Sequence, residues 1–142
     1  MAVDSHQNGT RQRLPALIPE LVVVPSRVQL FMFSAATWNR HRIHYDKDAA
    51  LADGLPDVVV QRALLGDFLA RMLTDWLAES GEIARLSWRV SGSAVPGVAL
   101  HCTGEIVGFE TVGDSRLVRC ELHVRNEAGD GIAAGDAVAR LY

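Results

Sequence analysis

The densest run of chemically capable side chains is TWNRHRIHYDKD, residues 37–48. It holds His41 and His44, with Asn39 before them and Asp46 after. Histidine titrates near neutral pH, so it can take and return a proton where most side chains cannot. A carboxamide such as Asn39 can orient a water but cannot accept its proton as a carboxylate does. Two readings compete for His44: a general base, or a loop histidine hydrogen-bonded to backbone. The spacing His41-x-x-His44-x-Asp46 also permits a metal site. No second ligand cluster accompanies it, so no metal is expected. Arg40, Arg42 and Lys47 crowd the same run. They form either a solvated face or a contact for the phosphates of a ligand. Cys102 and Cys120 fall on apolar strand faces and read as packed thiols. His101 and His123 fall on polar faces and read as solvated.

The elements that must position this run are legible around it. Prolines at 15, 19 and 25 break the chain and leave an extended lead-in near Leu21–Val24. Val28–Phe33 is apolar. DKDAALADG predicts a short helix starting near Asp46 or Asp48 and ended by Gly54. Residues 58–81 carry apolar pairs at 64/65, 68/69, 72/73 and 76/77. This step predicts one helix of about 20 residues with a broad apolar stripe. Asp57 is the expected cap and Gly81 the expected left-handed exit. Asp67, Arg71, Thr74, Asp75 and Ala78 form its polar face. Gly66 costs a helix interior roughly 1 kcal/mol, which suggests that another group approaches its backbone. Strands are predicted at 83–90, 98–109, 115–125 and about 135–141, with turns at VGDS and EAGDG. The sum is an α+β chain, a long helix wrapped by a curved antiparallel sheet, the pattern of a hot-dog fold.

Composition sets the class. The chain has 142 residues, 49% hydrophobic and 22% charged, with a net charge of −3. That is one globular domain, with residues 1–13 expected as a flexible arm and 14–142 as the domain. The acidic balance argues against nucleic acid as a partner. No apolar run reaches the roughly 18–20 residues of a membrane span, and the polar start lacks a signal-peptide core. A cytoplasmic protein with no membrane association is expected.

The stretch FSAATWNRHRIHYDKDAALADGLPDVVVQRALLGDFLARML resembles the MaoC-like hydratase/dehydratase family. The form NRHRIHYD is similar to the branch of mesaconyl-CoA hydratases and type 2 hydroxyacyl-thioester dehydratases, and the chain also resembles small hydratase subunits of steroid side-chain breakdown. The resemblance spans residues 14–142, with its specific part at 31–80. It implies a hot-dog hydro-lyase adding or removing water on an acyl-CoA thioester, with no cofactor. It places Asn39 and His44 at the catalytic positions, with Asp46 and His41 in support. Gln61 and Arg62 stand where the family commonly has His-Gly, whose glycine amide helps hold the thioester carbonyl. Their amides would supply those donors, with the Arg62 side chain expected to crowd the spot. Arg40, Arg42 and Lys47 would meet CoA phosphates. The implied partner is a second hot-dog chain, as a homodimer or a heteromer with another MaoC-like chain. Gln61-Arg62 keeps open a non-catalytic subunit that completes a partner's site. An acyl-CoA thioesterase using a helix carboxylate, Asp67, is the other alternative.

Overall fold

The computed structural model describes residues 15–142; the arm expected at 1–13 lies outside them. Five strands form one antiparallel sheet in the order β1-β3-β4-β5-β2. They are β1 (Leu21–Val23), β2 (Gly81–Val90), β3 (Leu100–Val112), β4 (Ser115–Asn126) and β5 (Gly131–Leu141). Helices α1 (Arg27–Thr37), α2 (Lys47–Ala52) and α3 (Arg62–Leu77) complete the fold. The predicted strands are all present, with β5 starting earlier than expected. Its small residues Ala133, Ala137 and Ala139 are buried against β4 and β2.

Sheet and helix meet on one apolar surface. On β4, Val118, Cys120, Leu122 and Val124 are buried, while Arg119, Glu121 and Arg125 are exposed. This alternation points every second side chain at the helix. The helix answers with Leu65, Leu69, Met72, Leu73 and Leu77, each almost fully buried. It contacts β1 and β2 at the two edges and β3 and β4 between them, so the sheet curls around it. Its opposite face, Asp67, Arg71, Thr74, Asp75 and Ala78, is exposed as expected.

Three boundaries differ from the sequence reading. Helix α3 begins at Arg62, not near 58. Val58, Val59 and Val60 are β-branched and stiff in a helix, and here they lie outside any helix or strand with all three side chains buried. Asp57 does not cap α3; it pairs with Arg27, whose Nη1 lies 3.0 Å from its Oδ1. Gly81 does not take the helix exit. The positive φ falls on Ala78, at 46°, and Gly81 opens β2, where a Cβ would stand 2.4 Å from the Arg140 carbonyl oxygen. The apolar run at 28–33 is helical, capped by Ser26, whose Oγ accepts from the Gln29 N–H at 3.0 Å.

The group that approaches Gly66 is Trp88 of β2. A Cβ at Gly66 would meet the indole Cζ2 at 2.2 Å. The ring is pinned there because its Nε1–H donates to the Arg62 carbonyl at 2.9 Å. Gly66→Ala gains helix propensity of roughly 1 kcal/mol but overpacks a held ring, at a cost of about 1–3 kcal/mol. The expected outcome is a lower urea midpoint and Tm. Asp75→Ala, on the exposed face, should stay within about 0.5 kcal/mol of wild type.

Candidate active site

The loop between α1 and α2 is built by local hydrogen bonds. Helix α1 ends as Trp38 turns left-handed at φ 57°. This exit lets the Asn39 N–H donate back to the Ser34 carbonyl at 2.9 Å. The Asn39 Oδ1 accepts from the His41 N–H at 3.2 Å. The side-chain oxygen therefore faces the loop, and the Asn39 NH2 is the end left to meet a ligand. The Tyr45 hydroxyl donates to the Arg40 carbonyl at 2.9 Å, and its ring meets Phe31 edge-on at 6.3 Å. Asp46 caps α2, accepting from the Ala49 N–H at 3.2 Å, and binds the Arg42 guanidinium through Nε at 3.0 Å. That ion pair and cap hold the Asp46 carboxyl below the usual carboxylate range.

His44 is 8% exposed. Its Nδ1 lies 2.7 Å from the Val59 carbonyl oxygen. A carbonyl only accepts, so Nδ1 carries the proton and Nε2 of the neutral ring is left as an acceptor. Burial pushes the pKa of His44 below its ordinary 6.5; the Val59 contact opposes this and nearby His41 adds to it. His44 is thus a loop histidine bonded to backbone, and the same bond leaves its neutral ring one nitrogen that can accept a proton.

The segment that receives His44 leads into α3. The Val59 N–H donates to the Ile43 carbonyl at 3.0 Å and the Val60 N–H to the Ala94 carbonyl at 2.9 Å. Gln61 then stands at the N-cap without a side-chain cap bond. The Leu65 N–H is bonded to the Gln61 carbonyl at 3.1 Å. The N–H groups of Arg62, Ala63 and Leu64 precede any intrahelical acceptor, and the helix dipole favours negative charge beside them. The Gln61 side chain is fully buried and turned back beneath α1. Its Nε2 donates to the Leu30 carbonyl at 2.6 Å and the Ser34 Oγ at 2.9 Å.

The expectation that Arg62 crowds its own amide is corrected. Its guanidinium lies 4.8 Å over the Trp88 ring and donates to the Trp88 carbonyl at 3.0 Å. Trp88 Nε1 returns a bond to the Arg62 carbonyl, so the side chain is drawn toward β2.

The predicted residues therefore fall into groups. His44 and the start of α3 are joined through Val59, and Asn39 and Gln61 are joined through Ser34. The three cations share no anchor. Arg42 is engaged by Asp46, the Arg40 guanidinium lies 5.8 Å over Trp38, and Lys47 opens α2, exposed. Asp67 is exposed on the outer face of α3. Cys102 and Cys120 are buried, and burial pushes their thiols up to about 12 and about 11. They are packing thiols, not thiolates. His101 is not simply solvated: its Nδ1 pairs with Glu20 at 2.5 Å. Ser34 and the Val59 carbonyl escaped the sequence reading. A serine inside an apolar helix, four residues before that helix's exit, is the one signal for the first. The second is backbone and leaves none.

A five-stranded antiparallel sheet curled on one buried helix, with a neutral histidine tied to that helix's N-terminal approach, defines a hot-dog protein of the MaoC-like kind. The family model for hydroxyacyl-thioester dehydratase type 2 matches residues 3–96, and the chain belongs to that family of hydro-lyases. It is similar to the 3-oxo-4,17-pregnadiene-20-carboxyl-CoA hydratase beta subunit of Mycobacterium tuberculosis. The two are 28% identical over 119 residues, which is 84% of this chain and 89% of that protein. Among solved structures, the ChsH1-ChsH2 complex of Mycobacterium tuberculosis has a TM-score of 0.79 at 21% identity, covering 92% of this chain and 99% of that one. The (R)-hydratase from A. caviae involved in PHA biosynthesis has a TM-score of 0.82 at 16% identity, with the same coverage of 92% and 99%.

The depressed His44 makes stability depend on pH with a definite sign. The unfolded ring takes a proton at about 6.5 and the folded ring only at lower pH. Between these values the unfolded state binds more protons, so this contribution is complete above about 6.5 and is lost as pH falls through that window. Urea midpoints measured from pH 7.5 down to 5 should fall, and His44→Gln should flatten that slope. A slope unchanged by His44→Gln would assign it to other groups.

Proposed function

We propose that the chain acts as an enoyl-CoA hydratase, or in reverse as a 3-hydroxyacyl-CoA dehydratase. The observation that carries this reading is the orientation of His44: Nδ1–H held by Val59, Nε2 unprotonated, on the segment that ends at the N-terminus of α3. Hydration requires a base for water and donors for the charge that builds on the thioester oxygen. His44 Nε2 takes the proton of water as the water oxygen attacks the β-carbon of the enoyl thioester. The electron pair of the double bond moves onto the thioester oxygen, which the amides of Gln61 and Arg62 receive. The imidazolium then returns its proton to the α-carbon, and His44 is neutral again. Asn39 positions the water through its NH2, because its oxygen is engaged by the His41 amide. Asp46 and His41 shape the loop. No cofactor enters this sequence of steps.

Arg40 and Lys47 are the cations free to meet CoA phosphates in this reading, with Arg42 held by Asp46. A cytoplasmic location belongs to it as well; among the described residues no helix is long and apolar enough to cross a membrane. Its partner is a second hot-dog chain, identical or related. Val28, Phe31 and Met32 of α1 are each at least 60% exposed, and Trp38 is 76% exposed. Val28, Phe31 and Met32 share one face of α1, and Trp38 stands where that helix gives way to the site loop, a surface that suits a protein interface. The hydratase relative is described as a beta subunit. Together with Gln61-Arg62, that favours a second reading in which the partner chain carries part of the chemistry.

Loss of enoyl-CoA absorbance, followed for the chain alone and with a related hot-dog chain, tests both readings. His44→Ala should lower kcat by roughly 10²-fold or more with the fold intact. Asn39→Ala should cost less, and Asn39→Asp should retain or raise the rate. Activity of the mixture that survives His44→Ala assigns the chemistry to the partner. Release of free CoA in place of hydration would support the thioesterase alternative.

The phosphate contacts are tested by ionic strength. The dissociation constant for acyl-CoA should rise with salt, because exposed charges are screened, and Arg40→Ala should flatten that dependence while leaving kcat nearly unchanged. A salt-independent constant removes these cations from the site.

A further inference from the structure

Between the two halves of the site lies a buried polar contact that no step of the chemistry uses. Ser34 is 5% exposed and Gln61 0% exposed, in surroundings that are otherwise apolar. The Gln61 Nε2 donates to the Ser34 Oγ at 2.9 Å and the Leu30 carbonyl at 2.6 Å. The Gln61 Oε1 is buried with no hydrogen-bond partner among the described residues. An orphaned buried acceptor costs about 1–3 kcal/mol. A side chain kept at such a cost, where a methionine of similar length would fit an apolar interior, calls for a purpose other than stability.

The connectivity supplies one. The Ser34 carbonyl accepts the Asn39 N–H at 2.9 Å, so Ser34 sets where the water-positioning residue leaves α1. Its hydroxyl, one residue's length away, accepts from Gln61, which is the N-cap of α3. The Leu30 carbonyl, one turn earlier in α1, takes the second hydrogen of the same NH2. Two bonds from one rigid carboxamide to one helix fix both distance and rotation, where a single bond would fix distance alone.

We infer that Gln61 and Ser34 are positioning residues: the Gln61 side chain clamps the N-terminus of α3 to α1 and so sets the spacing between Asn39 and the amides that receive the thioester oxygen, a role that rests on the hydratase reading above. Neither side chain touches substrate. Misplacement of oriented groups by about 1 Å costs on the order of 10²-fold in rate, so a clamp of this kind acts on turnover. Because the donors matter most once charge has developed, its loss lowers kcat more than it raises KM.

The test uses Gln61→Met, Ser34→Ala and Gln61→His, each assayed for enoyl-CoA hydration with any partner chain present and corrected for the folded fraction. Gln61→Met keeps length and removes both the clamp and the orphaned oxygen. The clamp predicts a fall in kcat of roughly 10-fold or more for Gln61→Met, with KM within about two-fold. Ser34→Ala, which leaves the Leu30 bond, should lose less. Gln61→His restores a ring N–H toward α1 and should recover most of the rate. A readout independent of activity is the backbone amide spectrum, in which the Arg62 and Ala63 signals should shift or broaden in Gln61→Met. Wild-type kcat per folded site with unmoved Arg62 and Ala63 signals would overturn the inference, as would a loss of activity that follows the folded fraction alone. Full activity of His44→Ala would instead sink the hydratase reading of this chain, and the amide signals would still decide the clamp.

Discussion

Three consecutive valines set where α3 starts and how His44 is turned. Val58, Val59 and Val60 resist helix because their branched side chains are stiff at χ1, and their backbone finds better partners across the fold. The Val59 N–H meets Ile43, the Val60 N–H meets Ala94, and the Val59 carbonyl meets His44. Were this segment helical, α3 would begin about a turn earlier and the amides of Gln61 and Arg62 would be consumed by intrahelical bonds. The Val59 carbonyl would then no longer be offered to His44, and the imidazole would be free to take either tautomer. The same segment thus starts the helix at Arg62, orients His44 and ties the loop to the helix.

The long helix in turn depends on close packing with β2. Gly66 admits the Trp88 ring to the helix backbone, and that ring draws Arg62 toward the strand by a hydrogen bond and by stacking. The sequence Gln61-Arg62, in place of the family's common His-Gly, would put a long cation over the amides at the helix start. Trp88 prevents this by offering the guanidinium a π-face and a carbonyl. A substitution that looks obstructive in one dimension is accommodated by a residue 26 positions away. The other half of the pair, Gln61, is accommodated beneath α1.

Much of this was legible from residue order. The four-residue step of apolar pairs in α3 and the strict alternation in β4 each have one strong period, so their buried faces follow directly. The motif run at 37–48 is dense enough to mark the site, and Asp46 and Gly54 bracket α2 as expected. Helix α1 was not legible because Val28–Phe33 is a short, nearly continuous apolar run, which by itself does not distinguish helix from strand. The start of α3 was misread because the apolar pattern continues unbroken through residues 58–60, and burial alone does not distinguish extended from helical chain. The tie from His44 to Val59 and the Gln61 contacts are long-range hydrogen bonds, to a carbonyl in one case and to another helix in the other. Local sequence carries neither.

The absence of a carboxylate at position 39 has an electrostatic consequence that fits this geometry. A buried histidine beside an aspartate is drawn toward the imidazolium form, since opposite charge favours protonation. With Asn39 in that place, the ring meets only burial, a backbone carbonyl and another histidine, and it stays neutral. A neutral ring is ready to take a proton, and the Asp46 carboxylate of the same loop is already engaged by Arg42. In the proposed reaction the positive end of α3 and its open amides would act on the one negative charge created, that of the enolate. An aspartate at 39 would supply a second proton acceptor and would hold the ring closer to its charged form. With Asn39 in place, the proposed reaction has His44 as its one proton acceptor, so its rate rests on how well the loop and the helix start are held together.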